Sequence, residues 1–147
     1  MQIIECTLKD LDQVAPLFNQ YRIFYELPDD LDTSRDFLQT NLQDNRSRIF
    51  LLVDDQGTAQ AFAQLYPALC SLAMKRFYWL YDLFVAPEAR KSGYARHLMN
   101  HLTTLLRAEG ADRISLDTAM SNKAAQALYE SLGYQREREF LTYHQYL

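Results

Sequence analysis

The fold of this chain is decided by the stretch FYWLYDLFVAPEARKSGYARHLM, residues 77–99. Its first part is apolar and aromatic, which is typical of a buried strand, and its last part has the apolar spacing of an amphipathic helix. Between them lies a basic turn with Gly93, one of only four glycines in the chain. A strand that enters a helix through a tight turn directs backbone N–H groups and the positive end of the helix dipole at one point. Arg90 and Lys91 add positive charge, so the turn is a candidate phosphate site.

Two common phosphate-binding loops are excluded at this turn. A Walker A loop needs Gly-Lys-Ser/Thr after four spacer residues, whereas residues 90–93 read Arg-Lys-Ser-Gly. The dinucleotide fingerprint needs two further glycines, which are missing here. An ordinary strand–helix turn that happens to be basic is the alternative that these residues leave open.

Composition narrows the classes of protein that fit. With 147 residues and 48% hydrophobic side chains, we expect one globular domain over 1–147. The net charge of −4 argues against nucleic acid or an anionic membrane as a partner. Cys6 and Cys70 form neither a metal-ligand spacing nor a disulfide framework, which favours a cytoplasmic protein. We expect no leader peptide, and no apolar run approaches the roughly 18 residues of a membrane span.

Hydrophobic periodicity predicts an alternation of strands and helices. Six strands are expected, at 2–7, 47–55, 59–67, 76–85, 112–118 and 138–146, and four helices, between Asp10 and Pro28, at 32–43, from the basic turn to about Ala108, and at 121–133. Asp10 with Gln13 resembles a capping pair, and Phe37 is expected on the buried face of the second helix. A hairpin around Gly57 in the first half and a strand–helix–strand crossover in the second predict a mixed α/β domain with a mostly antiparallel sheet.

Two motifs in the second half carry a family resemblance. RKSGYA, residues 90–95, fits the pattern Arg/Gln-x-x-Gly-x-Gly/Ala, the pyrophosphate-binding signature of the GNAT superfamily of N-acetyltransferases. SNKAAQALYESLGY, residues 121–134, resembles the second motif of that family: an Asn that opens a helix, then a Tyr and a closing Leu-Gly-Tyr. The whole chain is similar to a small branch that includes histone- and polyamine-acetylating enzymes.

The resemblance implies acetyl-CoA as the co-substrate, with no metal, and a parallel strand pair that splays apart at the centre of the sheet, flanked by helices. It assigns the pantetheine arm to backbone groups of the strand that precedes the turn, and to Asn122, which also suits a helix N-cap. The residues implied for the cofactor are Leu83, Phe84, Val85, Arg90, Lys91, Ser92, Gly93, Tyr94, Ala95, Asn122 and Tyr129.

Catalytic roles also follow from the resemblance. Tyr129 matches the family's general acid, since a phenol with a pKa near about 10 can return a proton to a departing thiolate. Its alternative is a core aromatic. Asp82 and Glu26 are the two candidates for the general base, and strand alternation puts Asp82 on the opposite face from its neighbours Tyr81 and Leu83. The choice between the two carboxylates stays open.

The acceptor is expected to be a small amine or a lysine-type side chain. Residues 22–36 are rich in Asp and Glu, which attract a cationic amine, although a solvated loop explains them equally well. A non-catalytic acyl-CoA-binding module and an enzyme for a longer acyl-CoA are the rival functions. His97 and His101 are four apart on one helix but lack a third metal ligand. The apolar faces of the strand expected near the C-terminus favour a homodimer.

Overall fold

The computed structural model describes residues 1–147, and residues 1–117 form one of its two compact units. This unit holds a five-stranded sheet whose strands are neighbours in chain order, antiparallel except for the last two, which are parallel. The mixed α/β fold expected from the sequence is thereby confirmed. The elements are β1 Gln2–Glu5, α1 Leu11–Phe24, α2 Leu31–Gln43, β2 Arg48–Val53, β3 Ala59–Cys70, β4 Lys75–Val85, α3 Tyr94–Ala108 and β5 Ile114–Ser115.

Helices cover both faces of the sheet, and β2 is accordingly apolar on both sides. Ile49 and Leu51 belong to the core cluster that α1 and α2 complete. Phe50 and Leu52 are equally buried, and strand alternation turns them to the opposite face, where the ring of His101 from α3 lies 6.0 Å from Phe50. A strand buried on both faces reads as a continuous apolar run, as the sequence RIFLLV does.

The start of α1 differs from the expected capping pair. The Asp10 carboxylate accepts a hydrogen bond from the backbone N–H of Thr7 at 2.9 Å and from its hydroxyl, and so closes a capping box one turn earlier. Asp10 makes no side-chain bond to α1, and the predicted partnership with Gln13 is therefore wrong. The side chain is 7% exposed, so its carboxylate must find its donors within reach, and a short 3₁₀ turn supplies them.

The end of α1 also lies earlier than Pro28 suggests. Glu26 adopts a left-handed backbone with φ 62°, and the N–H of Leu27 bonds to the carbonyl of Arg22. This is the hydrogen-bonding pattern that usually places glycine after a helix. The helix therefore terminates through its own C-cap, and Pro28 only prevents its continuation.

Further differences concern side-chain burial and strand length. Phe37 stacks on Phe18 with ring centroids 5.8 Å apart, yet it is 48% exposed, whereas Leu38 fills the core instead. The expected loop at 67–75 is shorter, because β3 and β4 continue their ladder to the pair Cys70–Lys75. The strand expected at 112–118 is reduced to the two residues of β5.

Residues 118–147 form the second unit. It contains α4, Lys123–Ser131, whose N-cap Asn122 accepts a hydrogen bond from the Ala125 N–H at 3.1 Å. Gly133 follows the helix with φ 90°, as expected of a glycine C-cap. The predicted strand at 138–146 is wrong: residues 135–147 form neither helix nor strand. None of the helices in either unit is long and apolar enough to span a membrane.

Candidate active site

The parallel strands β4 and β5 stay together for only two residue pairs. Tyr78 pairs with Ile114 and Trp79 with Ser115, and the pairing ends there. β4 continues to Val85, paired on its other side with β3. The segment 80–85 therefore has an open edge on the β5 side, where backbone N–H and C=O groups lack a strand partner.

A bulge at Tyr81 decides which residues serve that open edge. The ladder shifts between Gln64 and the next residue of β3, so that Tyr81 has no partner residue. Beyond the bulge, Ala86 donates to the carbonyl of Gln60 at 2.9 Å, so in an antiparallel ladder Phe84 also directs its backbone groups at β3. Leu83 and Val85, on either side of Phe84, point the other way. Their backbone groups lie on the open edge.

The basic turn stands at the end of this edge. Lys91 and Gly93 both have left-handed backbones, with φ 65° and 77°, and α3 begins directly after them. The first intrahelical bond of α3 runs from the N–H of His97 to the carbonyl of Gly93. Helix geometry leaves the preceding amides of Tyr94 and Ala95 without an intrahelical acceptor. The turn thus combines outward-facing N–H groups with the positive end of a helix dipole.

Gly93 is required by its backbone conformation rather than by neighbouring protein atoms. A Cβ atom placed at this position would meet nothing within 4 Å. The space beside the glycine is open to an approaching group. A left-handed φ disfavours any other residue.

The Arg90 side chain crosses the same edge. Its Nε donates to the carbonyl of Val85 at 3.3 Å, and its guanidinium carbon lies 5.4 Å from the ring centre of Phe24 and 5.6 Å from that of Phe84. Phe24 belongs to the end of α1. The cation therefore links the basic turn to the first helix through aromatic faces.

Asp82 lies on the face of β4 that α1 and α2 cover, within a network of neutral side chains. Gln64 donates to its Oδ2 at 2.7 Å, and the other end of the Gln64 amide accepts from Asn41 at 3.0 Å and from Ser47 at 2.7 Å. All four residues are buried, with Asp82 6% exposed. Burial raises the pKa of the Asp82 carboxyl, and the hydrogen bonds from Gln64 and Tyr21 oppose that rise.

Two phenols border this network. The Tyr21 hydroxyl donates to the carbonyl oxygen of Tyr81 at the bulge, at 3.4 Å. The Tyr66 hydroxyl accepts from Asn41 at 3.2 Å, and burial, together with the charge of Asp82, raises the pKa of Tyr66 to about 12. The Tyr81 side chain is 70% exposed. The bulge therefore places the exposed Tyr81 directly before the buried Asp82.

The remaining predicted site residues are Glu26, Asn122 and Tyr129. Glu26 is exposed at the end of α1, and no hydrogen bond of its carboxylate to Asp82 or Gln64 is present. Asn122 and Tyr129 belong to the second unit, where Asn122 caps α4 and the half-buried Tyr129 ring lies 5.8 Å from that of Tyr134. Their roles toward a cofactor remain predictions.

Sequence reasoning missed Gln64, Asn41 and Ser47. One signal was available: Gln64 interrupts the apolar run AFAQLY, and a polar residue inside a buried strand needs partners. Which partners it finds depends on α2 and on the loop before β2. Neither can be read from the strand itself.

The open edge and the turn fit the cofactor that the sequence implies. An extended arm with amide groups can bond to Leu83 and Val85 as a further strand would. A pyrophosphate suits the amides at the start of α3, where the space beside Gly93 is clear. The two features are consecutive in the chain, so one extended ligand can use both.

Comparison with known proteins agrees with this geometry. The acetyltransferase (GNAT) family matches residues 11–134. The chain is 38% identical over 143 residues to the uncharacterized N-acetyltransferase YhfO of Bacillus subtilis (strain 168), covering 97% of this chain and 95% of that one. Over 55 residues, 37% of each chain, it is 40% identical to the ribosomal protein bS18-alanine N-acetyltransferase of Escherichia coli (strain K12). The crystal structure of a probable acetyltransferase, 38% identical, covers 100% of this chain and 98% of its own with a TM-score of 0.95. This chain belongs to the GNAT family of acetyltransferases.

Proposed function

We propose that this protein transfers an acetyl group from acetyl-CoA to a primary amine by direct attack in a ternary complex. The observation that carries the proposal is the open edge of β4, which ends at a basic turn and the N-terminus of a fifteen-residue helix. Acetyl-CoA supplies a thioester carbonyl that an amine can attack. The remaining chemistry consists of binding, orientation and proton transfer by residues of this chain.

The cofactor roles are divided between the edge and the turn. Leu83 and Val85 bond the pantetheine arm through their backbone groups, and the turn from Arg90 to Ala95 binds the pyrophosphate through backbone amides. The Val85 carbonyl oxygen already accepts from Arg90 Nε, and its second lone pair can accept a bond from the arm. Tyr129 donates a proton to the departing sulfur, and Asn122 holds the arm while it caps α4.

In the acidic segment 22–36, some carboxylates have structural partners within the fold, and others can still attract a cationic amine. Asp29 accepts a hydrogen bond from Asn19 at 2.7 Å and Asp30 caps α2, so these two carboxylates have structural partners. Glu26, Asp32 and Asp36 are exposed and unpaired by any ion pair. Their negative charge favours a cationic acceptor at this end of the molecule.

The acceptor class is tested with a panel of amines. A relative over part of the chain is named for an alanine of a ribosomal protein, and the family resemblance added polyamines and histone lysines. We expect release of free thiol from acetyl-CoA in the presence of a polyamine, a lysine peptide, an alanine-terminated peptide or an aminoglycoside. Absence of thiol release with every amine, alongside tight CoA binding, would instead establish the non-catalytic module.

Acyl-chain length is decided in the same assay. The proposal requires acetyl-CoA to give a higher kcat/KM than butyryl- or hexanoyl-CoA with the best amine. A reversed order would identify an enzyme for longer acyl groups. Both results are read from thiol release, so the two functions are separated by one experiment.

We also propose that the protein forms a homodimer. The C-terminal residues expose large apolar and aromatic groups, among them Phe140, Leu141 and Tyr143, at 73%, 82% and 86%. Removal of such groups from water is favourable by about 25 cal/mol per Å² of apolar surface. A second copy of the chain is the partner that a symmetric contact would supply.

A further inference from the structure

A cavity of about 770 Å³ lies at the end of the sheet away from the open edge. Arg76 and Tyr78, near the start of β4, line it, whereas residues 80–85 of the open edge lie near the end of that strand. Glu109 lines it as well and directly follows α3, the helix that the basic turn precedes. A helix of fifteen residues is about 22 Å long. The cavity and the candidate active site are therefore separate places.

The cavity has the size and the wall of a small-molecule site. Ligand pockets usually measure about 300 to 1,000 Å³ and combine an apolar wall with a few polar groups. Leu8, Leu42 and Pro67 supply the apolar part of this wall, and Leu8 is 47% exposed. An occupant that covers this leucine removes apolar surface from water.

The carboxylates of the wall are already used within the protein. Glu5 and Glu109 each accept from Arg48 through both oxygens, at 2.7 to 3.1 Å. The Arg48 guanidinium also donates to the Tyr78 hydroxyl oxygen at 3.4 Å, which brings all five of its N–H donors into hydrogen bonds. This ion-pair group is complete, so neither its acids nor its cation needs a ligand.

The groups of the wall that have no partner are donors. Lys9, in the 3₁₀ turn Leu8–Asp10, and Arg76 make neither an ion pair nor a side-chain hydrogen bond. Tyr78 is 5% exposed, and its hydroxyl accepts from Arg48 while its own proton has no acceptor in the protein. Three cations and two carboxylates line the cavity, so the wall is positive in a chain of net charge −4. Free donors and local positive charge favour an anion.

The two unpaired cations approach the cavity from different sides. Lys9 follows β1 and Arg76 belongs to β4, and the strands β2 and β3 lie between these two. Three strand spacings amount to about 14 Å. An occupant that meets each cation on its own side therefore carries a negative group at each end. Its middle then lies against the apolar part of the wall.

We propose that this cavity binds a small organic dianion, with one negative group at Lys9 and the other at Arg76 and the Tyr78 hydroxyl. Arg76 and Tyr78 are two apart in β4 and so share one face of the strand. Charge-assisted hydrogen bonds hold both ends, and the planar guanidinium suits a carboxylate or a phosphate group. The site goes beyond the proposed acetyl transfer, since none of its residues belongs to the open edge or the basic turn.

Calorimetric titration measures binding with three probes of matched length. Octanedioate carries two carboxylates, octanoate carries one, and the diphosphonate with the same spacer replaces both carboxylates by phosphonates. We expect a Kd for octanedioate below about 1 mM and at least about tenfold below that of octanoate. The tighter of the two dianions identifies the head group that the site prefers. A dianion affinity no better than that of octanoate, or no binding of either dianion at about 10 mM, overturns the inference.

Substitutions locate the probe in the cavity. Lys9→Met and Arg76→Met should each weaken octanedioate about tenfold, toward the affinity of octanoate, because each removes one charge-assisted contact. Tyr78→Phe should weaken it by about two- to tenfold. Arg35→Met removes an exposed cation outside the cavity and should leave the affinity unchanged. Since Lys9 and Arg76 are exposed, their ligand-free variants should melt within about 2 °C of the parent.

The basic turn is the other candidate anion site of the chain, and two further titrations distinguish it from the cavity. Octanedioate should bind Gly93→Glu as tightly as the parent, and saturating CoA should not displace it. Loss of binding in Gly93→Glu, or displacement by CoA, with parent-like affinity in Lys9→Met and Arg76→Met, places the probe at the turn and overturns the inference. A parent that acetylates no amine and still binds octanedioate in the cavity contradicts the proposed function and supports this site.

Discussion

At the scale of single residues, Gly93 is informative because the space beside it is open, whereas its left-handed backbone disfavours other residues. Its φ is 77°, and apart from the glycine and its two chain neighbours no protein atom lies within 4 Å of the position that a Cβ would occupy, so substitution strains the chain without crowding it. Backbone strain and ligand binding can therefore be separated at this position by two substitutions.

Gly93→Ala and Gly93→Glu form a matched pair. Both should lower the free energy of unfolding by about 1 kcal/mol, because a left-handed φ is unfavourable for a residue with a Cβ. Gly93→Glu in addition places a carboxylate beside the proposed pyrophosphate, so CoA affinity should fall well below that of Gly93→Ala. Calorimetric titration with CoA measures the difference. Equal affinities would exclude this turn as the phosphate site.

Tyr129→Phe tests the proposed general acid. The ring and its packing are retained and only the hydroxyl is lost, so we expect kcat to fall by roughly 10²- to 10⁴-fold with CoA affinity near that of the parent. Tyr134→Phe, on the neighbouring ring 5.8 Å away, is the control for loss of a phenol in the same unit. A parent-like kcat in Tyr129→Phe would reduce Tyr129 to a packing residue.

At the scale of elements, Glu26 follows the end of α1 with a left-handed backbone. This conformation is unfavourable for any residue that has a Cβ. Glu26→Gly should stabilise the protein by about 0.5 to 1 kcal/mol, since glycine adopts φ 62° without strain. Glu26→Gln removes the charge and keeps the backbone preference, so its stability should match that of the parent. Thermal unfolding of both variants checks the expectation. A lower melting temperature for Glu26→Gly would mean that the carboxylate itself holds the helix end.

Arg48 is the ion-pair centre that joins elements far apart in sequence. From β2 it bonds both oxygens of Glu5 in β1 and both oxygens of Glu109 after α3, at 2.7 to 3.1 Å. The Arg48 hydrogen bonds hold the pKa of Glu109 below its ordinary value. A carboxylate whose pKa is lowered in the folded protein stabilises the fold above its unfolded pKa of about 4.3. That stabilisation is lost as pH falls through the lower folded pKa.

Arg48→Met should therefore be less stable than the parent by about 1 to 2 kcal/mol at pH 7, with the difference shrinking toward pH 3. Urea unfolding at several pH values measures it. Arg35→Met, which removes a single exposed ion pair with Asp12, serves as the control and should change stability by less than about 1 kcal/mol. A difference that is constant with pH would assign the Arg48 contribution to its packing on Phe50 and Tyr78.

At the scale of the whole molecule, the exposed C-terminal side chains support the proposed homodimer. We expect light scattering at micromolar concentration to give twice the 17.2 kDa of one chain. Tyr143→Lys combined with Tyr146→Lys should shift the mass toward one chain, because both side chains are more than 85% exposed and a charge opposes their burial. Tyr25→Lys, also exposed, is the control. A parent of single-chain mass would contradict the dimer under those conditions.

The sequence by itself determined the features whose causes lie within a few residues of one another. The glycine turn before α3, the Asn122 cap and the hairpin at Gly57 depend on local backbone preference, and each is found where its pattern predicts it. The apolar periods of β2 and α3 likewise report burial directly. The candidate cofactor loop belongs to this class, since strand, turn and helix follow one another along the chain.

Only the tertiary structure decided the features that need a partner from elsewhere. The alternating residues 138–146 are compatible with a strand, but a strand is defined by the hydrogen bonds of a neighbour, and no ladder includes them. The bulge at Tyr81 changes which residues face the open edge, and it arises from the register with β3. The network around Asp82 draws Gln64 from β3 and Asn41 from α2, because a buried carboxyl takes its hydrogen bonds from whatever the packing of the fold brings within about 3 Å.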